Sequence, residues 1–188
     1  VVLIMADDLG FEALGCYGGT TYKTPHIDAL AREGTRFERC YSTPLCSPTR
    51  AQLMTGRYPF RTGWINLIGR GSSPLFIFDP KKERTFGHVL QEAGYKTAVA
   101  GKWQLADLSE HPDHITDCGF DEYCCWTWVY DGKPTSRYWN PTILQNGKLR
   151  EDVFESHYGP DVYNDFVIDF IKRHRDERFF IYYPMALP

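Results

Sequence analysis

Three short, largely apolar segments, separated by stretches with helical patterning, constrain the fold of this chain more than any other feature. They cover residues 1–5, 96–100 and 178–183. Segments of this length that lack strict polar alternation are typical of strands buried on both faces of a parallel sheet. A strongly amphipathic helical pattern over residues 161–174 comes directly before the third segment. The chain is therefore predicted to be an α/β protein with a mostly parallel central sheet.

Local sequence signals predict two further helices and one further strand. A capping threonine, a helical pattern and a closing glycine mark residues 24–34 and again residues 85–94. Residues 37–41 are predicted to form a short strand. Residues 60–84 are rich in glycine, serine and proline and are predicted to form a long surface loop.

Composition excludes some function classes. The 188 residues carry a formal net charge of −3, so there is no general basic field, and nucleic acid is not an expected partner. No apolar run is long enough to span a bilayer, which predicts no membrane span. The six cysteines fit no zinc-ligand spacing. They are interpreted as mostly buried thiols, with one or two disulfides if the protein is exported.

The segment around Cys46 has the sequence of a loop that leads into a helix. Ser47 is a suitable N-cap, Pro48 suits the first turn, and Gly56 can end the helix. Cys46 is then at the positive end of a helix dipole, with Arg50 one turn further on the same side. Such an arrangement can hold an oxyanion. The alternative is a buried thiol beside an ordinary helix with a surface arginine.

Two acidic residues and a lysine follow two of the predicted strands. Asp7 and Asp8 come after the first strand and Lys102 after the second, which places all three at the carboxyl edge of the sheet, where ligands bind in open α/β folds. Adjacent carboxylates repel each other unless a cation lies between them, which predicts a divalent cation. The alternatives are a solvated acidic turn and a solvated lysine.

The segment 111–140 is rich in histidine and aromatic side chains. His111 and His114 are candidates for a metal site, but no third ligand is spaced for one, so an exposed loop is the preferred interpretation. The aromatic side chains are consistent either with a platform for a sugar or aryl ring or with packing against the sheet.

The pattern Cys-x-Pro-x-Arg at residues 46–50 resembles the signature of the sulfatase family. It differs from a tyrosine-phosphatase loop, which has a longer spacing between its cysteine and arginine than the three residues found here. Residues 53–59 extend the likeness to sulfatases, as do residues 6–10 and 101–105. The resemblance implies the fold of the alkaline phosphatase superfamily, in which helices flank both faces of the sheet.

The resemblance also implies an activity, that of an arylsulfatase-like sulfuric ester hydrolase. In this family a maturation enzyme converts the motif cysteine to formylglycine, so Cys46 would supply the nucleophile. Asp7, Asp8 and the modified Cys46 would bind Ca²⁺ or another divalent cation. Lys102 and Arg50 would act in catalysis by neutralising charge on the sulfuryl oxygens, and Lys102 would also bind substrate.

Gln104 departs from the family pattern, because a histidine that helps in proton transfer is expected at this position. A glutamine can hydrogen-bond a sulfate or a hydroxyl group, so Gln104 is a candidate substrate-binding residue. It cannot exchange a proton near neutral pH, so the resemblance leaves the acid/base group open.

The likeness covers essentially the whole chain, and sulfatases are considerably longer. Residues 1–188 are therefore expected to be the N-terminal part of a single catalytic domain, truncated at both ends, with further metal ligands, a histidine and a lysine later in the protein. The implied substrate is a sulfated small molecule or glycan, and the implied location is periplasmic or secreted. Oligomeric state stays open. The alternatives are a phosphonate or phosphate-ester hydrolase of the same superfamily and a non-catalytic protein that binds sulfated glycans.

Overall fold

A six-stranded sheet forms the centre of the computed structural model, which describes residues 1–67 and 77–186. The strands of the structure, in chain order, are β1 (Val2–Met5), β2 (Lys96–Lys102), β3 (Glu122–Trp126), β4 (Val129–Tyr130), β5 (Lys133–Pro134), β6 (Ile143–Gln145), β7 (Lys148–Leu149) and β8 (Phe179–Pro184). The order across the sheet is β1-β8-β2-β3-β6-β7, while β4 and β5 form a separate hairpin. The first four strands in this order are parallel and the last two are antiparallel, so the mostly parallel sheet is confirmed.

Helices cover both faces of this sheet. The α-helices of the structure are α1 (Pro25–Glu33), α2 (Cys46–Thr55), α3 (Pro59–Thr62), α4 (Phe86–Glu92), α5 (His114–Asp117) and α6 (Gly159–Arg173). The amphipathic helix α6 packs Phe166 and Phe170 against one face, in a cluster with Ala98, Ala100 and Ile181. The alternate side chains of the strands point to the opposite face, as the period of two along a strand requires.

That opposite face carries the larger part of the core. Val99 of β2 and Tyr182 of β8 lie there with Met54 of α2 and with two further buried aromatic side chains, Trp103 and Phe120. The partly buried Phe86 of α4 makes edge contacts with three neighbouring rings, Phe120, Phe180 and Tyr182. Helices α2 and α4 are therefore fixed to the sheet on the face opposite α6.

The first strand is an exception to the predicted burial. β1 is at one end of the sheet and, within the described residues, pairs only with β8. Val2 is 42% exposed and Ile4 is 59% exposed, so the prediction that this strand is buried on both faces is wrong. An apolar run alone does not distinguish a central strand from an edge strand, because the distinction depends on neighbours that are distant in sequence.

Several strands and loops differ from the sequence predictions. The strand predicted at residues 37–41 is wrong, since these residues are exposed and pair with no strand in the described chain. Strands β3, β6 and β7 were not predicted. The surface loop predicted for residues 60–84 is partly wrong: it includes most of the short helix α3, and Trp64 and Phe78 are buried in the core. Residues 68–76 of this segment lie outside the described residues.

The helix starts show how capping differs between two sites. The prediction for α4 is confirmed: the Thr85 hydroxyl accepts from the backbone N–H of His88, and the His88 ring accepts from the N–H of Thr85. The N-cap predicted at Ser47 is wrong, because α2 begins at Cys46 with Leu45 as its N-cap. Pro48 still lies in the first turn, where its missing N–H has no cost.

Candidate active site

The candidate site lies at the carboxyl edge of the parallel strands. Asp7 follows β1, Lys102 ends β2 and Trp126 ends β3, and the register pairs Lys102 with Trp126. Gly101 precedes Lys102 with φ of +111°, and a Cβ at this position would overlap the carbonyl oxygen of Pro184. Only glycine adopts this backbone conformation at such close approach, so Gly101 determines how Lys102 leaves the sheet.

Asp7 is the centre of a buried ion-pair cluster. Its Oδ1 atom accepts a hydrogen bond from Nη2 of Arg50 at 3.1 Å, and its Oδ2 atom accepts one from Nζ of Lys102. Burial by itself would raise the pKa of Asp7, but the hydrogen bond and charge of Lys102, followed by those of Arg50, outweigh it and hold the pKa below its usual value. Asp7 is therefore a carboxylate at neutral pH.

Arg50 is fully buried and donates hydrogen bonds inside this cluster. Besides Asp7, its guanidinium donates from Nη1 to the carbonyl oxygen of Lys102. It thereby connects helix α2 to the ends of β1 and β2. The sequence predicts contact between Arg50 and an oxyanion beside Cys46, whereas in the structure the guanidinium contacts Asp7 and the Lys102 backbone.

Cys46 and the two adjacent acids line a single cavity of about 720 Å³. Cys46 is the first residue of α2 and is partly buried. Asp8 is exposed and adopts a left-handed backbone conformation, with φ of 58°, which turns the chain after β1. The three residues predicted to bind metal, Asp7, Asp8 and Cys46, therefore border the same cavity.

The two acids fit a hard divalent cation in donor type, whereas the Cys46 sulfur does not and would fit only after conversion to an oxygen ligand. Carboxylate oxygens are the ligands that Ca²⁺ prefers, and it takes about six to eight oxygens. Each oxygen of Asp7 retains a lone pair beyond the hydrogen bond that it accepts. Within the described residues no group of three His, Cys, Asp or Glu side chains is assembled as a metal site. The donors present supply only part of a calcium coordination shell.

Lys102 and Gln104 do not belong to the lining of this cavity. Lys102 is buried against Asp7, and Gln104 borders a small separate cavity together with Trp126 and Trp128. The Gln104 backbone is left-handed, with φ of 54°, and its Oε1 atom is buried without a hydrogen-bond partner in the described chain. Burying an amide oxygen without a hydrogen-bond partner costs free energy, and such a cost is found mostly at functional positions.

Arg137 is a site residue that sequence reasoning missed. Its Nη1 atom is 3.7 Å from Oδ2 of Asp7, although the two residues are far apart in sequence. Its guanidinium lies over the rings of Trp126 and Tyr138, at 5.8 and 5.1 Å from their centroids. No motif surrounds Arg137. The only signal was the aromatic composition of segment 111–140.

The histidines of that segment are not an exposed pair. His114 is buried: its Nδ1 accepts from Nε1 of Trp103 at 3.1 Å, and its Nε2 donates to the carbonyl oxygen of Phe78 at 2.6 Å. Burial lowers the pKa of His114, so the ring is neutral. The exposed loop preferred for His114 is wrong, because both ring nitrogens are satisfied inside the core.

The cysteines divide between the core and the surface. Cys118, Cys124 and Cys125 are buried, and burial raises the pKa of the Cys124 thiol to about 12. Cys16 and Cys46 are partly buried, and all six thiols are free in the structure. The interpretation as mostly buried thiols therefore applies to the cysteines that follow β2.

Comparison with known proteins adds to this geometry. A family model described as Sulfatase matches residues 1–186. The chain belongs to the sulfatase family. A sulfatase from Bacteroides thetaiotaomicron, N-acetylglucosamine-6-O-sulfatase, is 30% identical over 190 aligned positions, covering 100% of this chain and 30% of that protein. Rat (Rattus norvegicus) steryl-sulfatase is 42% identical over 136 positions, covering 65% of this chain and 22% of the relative.

A solved structure agrees with the sulfatase fold. The crystal structure of Ps i-CgsB in complex with k-i-k-neocarrahexaose superposes with a TM-score of 0.80 at 30% identity, covering 97% of this chain and 44% of that one. The chain therefore spans less than half the length of each of these proteins. Among the described residues, no helix combines the length and apolar character needed to cross a membrane.

Proposed function

We propose that the protein hydrolyses a sulfate ester with a formylglycine nucleophile made from Cys46. The observation that carries the proposal is that Cys46, Asp7 and Asp8 line one cavity, while Lys102 and Arg50 hold the Asp7 carboxylate from behind. Membership of the sulfatase family supports the same activity. A structural thiol would not require two acids on the wall of its cavity, one of them held by two buried cations.

Maturation changes the chemistry of residue 46. A maturation enzyme, with an oxidant from outside the chain, removes sulfur from Cys46 and leaves an aldehyde. Water adds to this aldehyde to give a geminal diol. The position at the start of α2 suits the diol, because the helix dipole stabilises negative charge on its oxygen.

The diol explains why an aldehyde is needed. One hydroxyl loses its proton and attacks sulfur, and the bond from sulfur to the ester oxygen breaks as the alcohol leaves. The second hydroxyl then loses its proton, the C=O bond re-forms, and sulfate leaves by elimination. A serine ester would depend on attack by water at this stage.

Asp7 and Asp8 would hold the divalent cation, with residue 46 as a further ligand. When bound, the cation supplies positive charge that favours the ionised diol and offsets charge on the sulfuryl oxygens. Lys102 and Arg50 keep Asp7 ionised and in place, and Lys102 adds its own positive charge at the edge of the site.

Proton transfer to the leaving alcohol is not supplied by Gln104. No histidine is among the described residues that line the Cys46 cavity. Gln104 borders a separate small cavity, where we assign its amide to substrate binding. We assign the acid to a residue beyond those described or to water. Export to the periplasm or out of the cell is also part of the proposal and rests on family membership.

Mass spectrometry of the tryptic peptide 40–50 tests the proposal. The protein is produced together with a formylglycine-generating enzyme, and the peptide is expected to be lighter by the difference between cysteine and the aldehyde. Cys40 lies in the same peptide and should remain a thiol, which makes it an internal control. Active protein with an unmodified Cys46 would overturn the mechanism.

Turnover distinguishes the proposed activity from its alternatives. We expect faster hydrolysis of para-nitrophenyl sulfate than of para-nitrophenyl phosphate, and loss of turnover in Cys46→Ala. Faster hydrolysis of the phosphate would favour the phosphate-ester alternative. Binding of sulfated glycans without turnover, in protein that carries the aldehyde, would favour the binding-only alternative.

A further inference from the structure

Arg137 has the position and exposure of a substrate-binding residue at the edge of the site. Its side chain is 30% exposed, whereas those of Arg50 and Lys102 are almost completely buried. It lies in the segment between β5 and β6, and its guanidinium is 3.7 Å from the Asp7 carboxylate. Arg137 is thus the cation of this cluster that solvent, and therefore a ligand, can reach.

The backbone around Arg137 is fixed by neighbouring elements. Trp126 donates from Nε1 to the Thr135 hydroxyl at 2.7 Å, and the N–H of Gly159 donates to the carbonyl oxygen of Tyr138 at 2.7 Å. A Cβ at Gly159 would overlap the carbonyl oxygen of Arg137, so the start of α6 lies directly against this segment. The guanidinium is therefore presented by a constrained loop.

The donors of Arg137 are unused in the described structure. The guanidinium has five N–H donors, yet among the described residues it donates no hydrogen bond, and 3.7 Å from Asp7 is too long for one. Asp7 already accepts hydrogen bonds from Arg50 and Lys102. Cation–π contacts with Trp126 and Tyr138 hold the guanidinium in place without using its N–H donors, which can then bind an anion.

We propose that Arg137 binds a second anionic group of the substrate, a sulfate or carboxylate near the ester that is cleaved. The proposal rests on the proposed function, since it assumes that the cleaved sulfate occupies the site beside Cys46. A sulfate monoester carries one negative charge, which Lys102 and a cation bound by Asp7 and Asp8 would already meet. A third, more exposed cation selects substrates with a further anion.

Binding of two matched sulfonates tests this inference. Calorimetry compares benzenesulfonate, which has one anionic group, with meta-benzenedisulfonate, which has two, on the mature protein. We expect the disulfonate to bind about tenfold more tightly, as a charge-assisted hydrogen bond predicts. In Arg137→Gln this preference should be lost, with a smaller change for the monosulfonate. Arg137→Lys should retain part of the preference, because it keeps the charge without the planar fork.

Arg150→Gln is the matched control. Its side chain is 33% exposed and pairs with Asp152, next to the strand at the far end of the sheet from β1. We expect this variant to keep the preference for the disulfonate. An equal loss of affinity for both sulfonates in Arg137→Gln would show that Arg137 only supports Asp7, and unchanged binding of both would show that it has no role. Either result overturns the inference.

The same samples separate this inference from the proposed function. Mature protein that hydrolyses para-nitrophenyl sulfate but shows no Arg137-dependent preference would contradict the inference alone. Protein that carries the aldehyde and hydrolyses no sulfate ester would contradict the proposed function, whatever the sulfonates show.

Discussion

Arg50 connects three parts of the site through one guanidinium. It is fully buried in α2 and donates both to Asp7 and to the carbonyl oxygen of Lys102. We predict that Arg50→Lys lowers the free energy of unfolding by about 3 kcal/mol, because a lysine cannot reproduce the planar fork and leaves a buried acceptor without a donor. Urea denaturation measures this difference.

Arg57→Lys is the control for that prediction. Arg57 pairs with Glu83 at the surface, and its side chain is about half exposed. A change within about 0.5 kcal/mol is expected there, since exposed ion pairs contribute little. If the two substitutions had equal effects, the bridging role of Arg50 would be refuted.

His114 makes stability depend on pH. Its Nδ1 accepts from the Trp103 indole, so a proton added there would place two donors against each other. Burial lowers the pKa of His114 in the folded state below its ordinary value of 6.5, and the nearby charge of His111 lowers it further, while Asp117 and Asp79 oppose this. The unfolded chain therefore binds the proton first as pH falls.

It follows that the contribution of His114 to stability is complete above about pH 6.5 and decreases as pH falls below it. We predict that His114→Gln is less stable at neutral pH. Between about pH 7.5 and about pH 5.5, however, its free energy of unfolding should decrease less than that of the original protein. Denaturant titrations at both pH values measure it. His26→Gln, at an exposed position in α1, should keep the original slope. A slope unchanged in His114→Gln would contradict the argument.

The residues of the site differ in how far sequence could locate them. Asp7 and Lys102 follow predicted parallel strands, so their proximity follows from topology alone. Cys46 directly precedes a predicted helix, but the strand predicted before it is absent from the described chain, so its position beside them did not follow from topology. The contacts of Arg50 depend on which side of α2 meets the end of β2, a contact that spans 52 positions. Arg137 reaches Asp7 only because a hairpin and the start of α6 place its loop there, and no local pattern encodes this.

At the level of secondary-structure elements, the end of β2 depends on Gly101. We predict that Gly101→Ala destabilises the protein by about 3 kcal/mol or more, because the new Cβ adds a clash with the Pro184 carbonyl to the cost of positive φ. Activity should fall in parallel, since Lys102 follows directly. Thermal denaturation and turnover are the measurements.

Gly132→Ala separates the cost of the clash from the cost of positive φ. Gly132 also has positive φ, +69°, but nothing lies within 4 Å of a Cβ there. Its substitution should cost only about 1 kcal/mol, the conformational penalty alone. Equal losses at the two glycines would show that the approach of Pro184 does not restrict Gly101.

Elements with strong local signals were predicted correctly, and the others depended on distant partners. The local sequence is enough to predict the capped helix α4, the amphipathic helix α6 and the central strands β2 and β8, whatever packs against them. β3 was missed although Tyr123 and Trp126 favour strands, because the aromatic residues of segment 111–140 were interpreted as a ring-binding platform or as packing against the sheet. The parallel pairing of β3 with β2 depends on residues that are distant in sequence.

At the scale of the whole molecule, burial is uneven along the chain. The two clusters around the sheet contain the buried apolar side chains, whereas none of the residues 9–45 is buried. Polar contacts hold this N-terminal segment, such as the hydrogen bond from the Cys16 N–H to Asp28 at 2.7 Å. Leu30 of α1 is 72% exposed. This exposed segment is directly followed by Cys46.

This distribution predicts a gradient of local stability. Amide hydrogens of residues 10–44 should exchange at least about a hundredfold faster than those of β2 and β8, because local opening there exposes little apolar surface. Hydrogen exchange followed by mass spectrometry on the mature protein measures both regions in one sample, with α6 as an internal reference for the core. Protection of residues 10–44 equal to that of β2 would contradict the prediction. It would also show that another part of the protein packs over Leu30 and the exposed face of β1, since nothing within the described residues covers them.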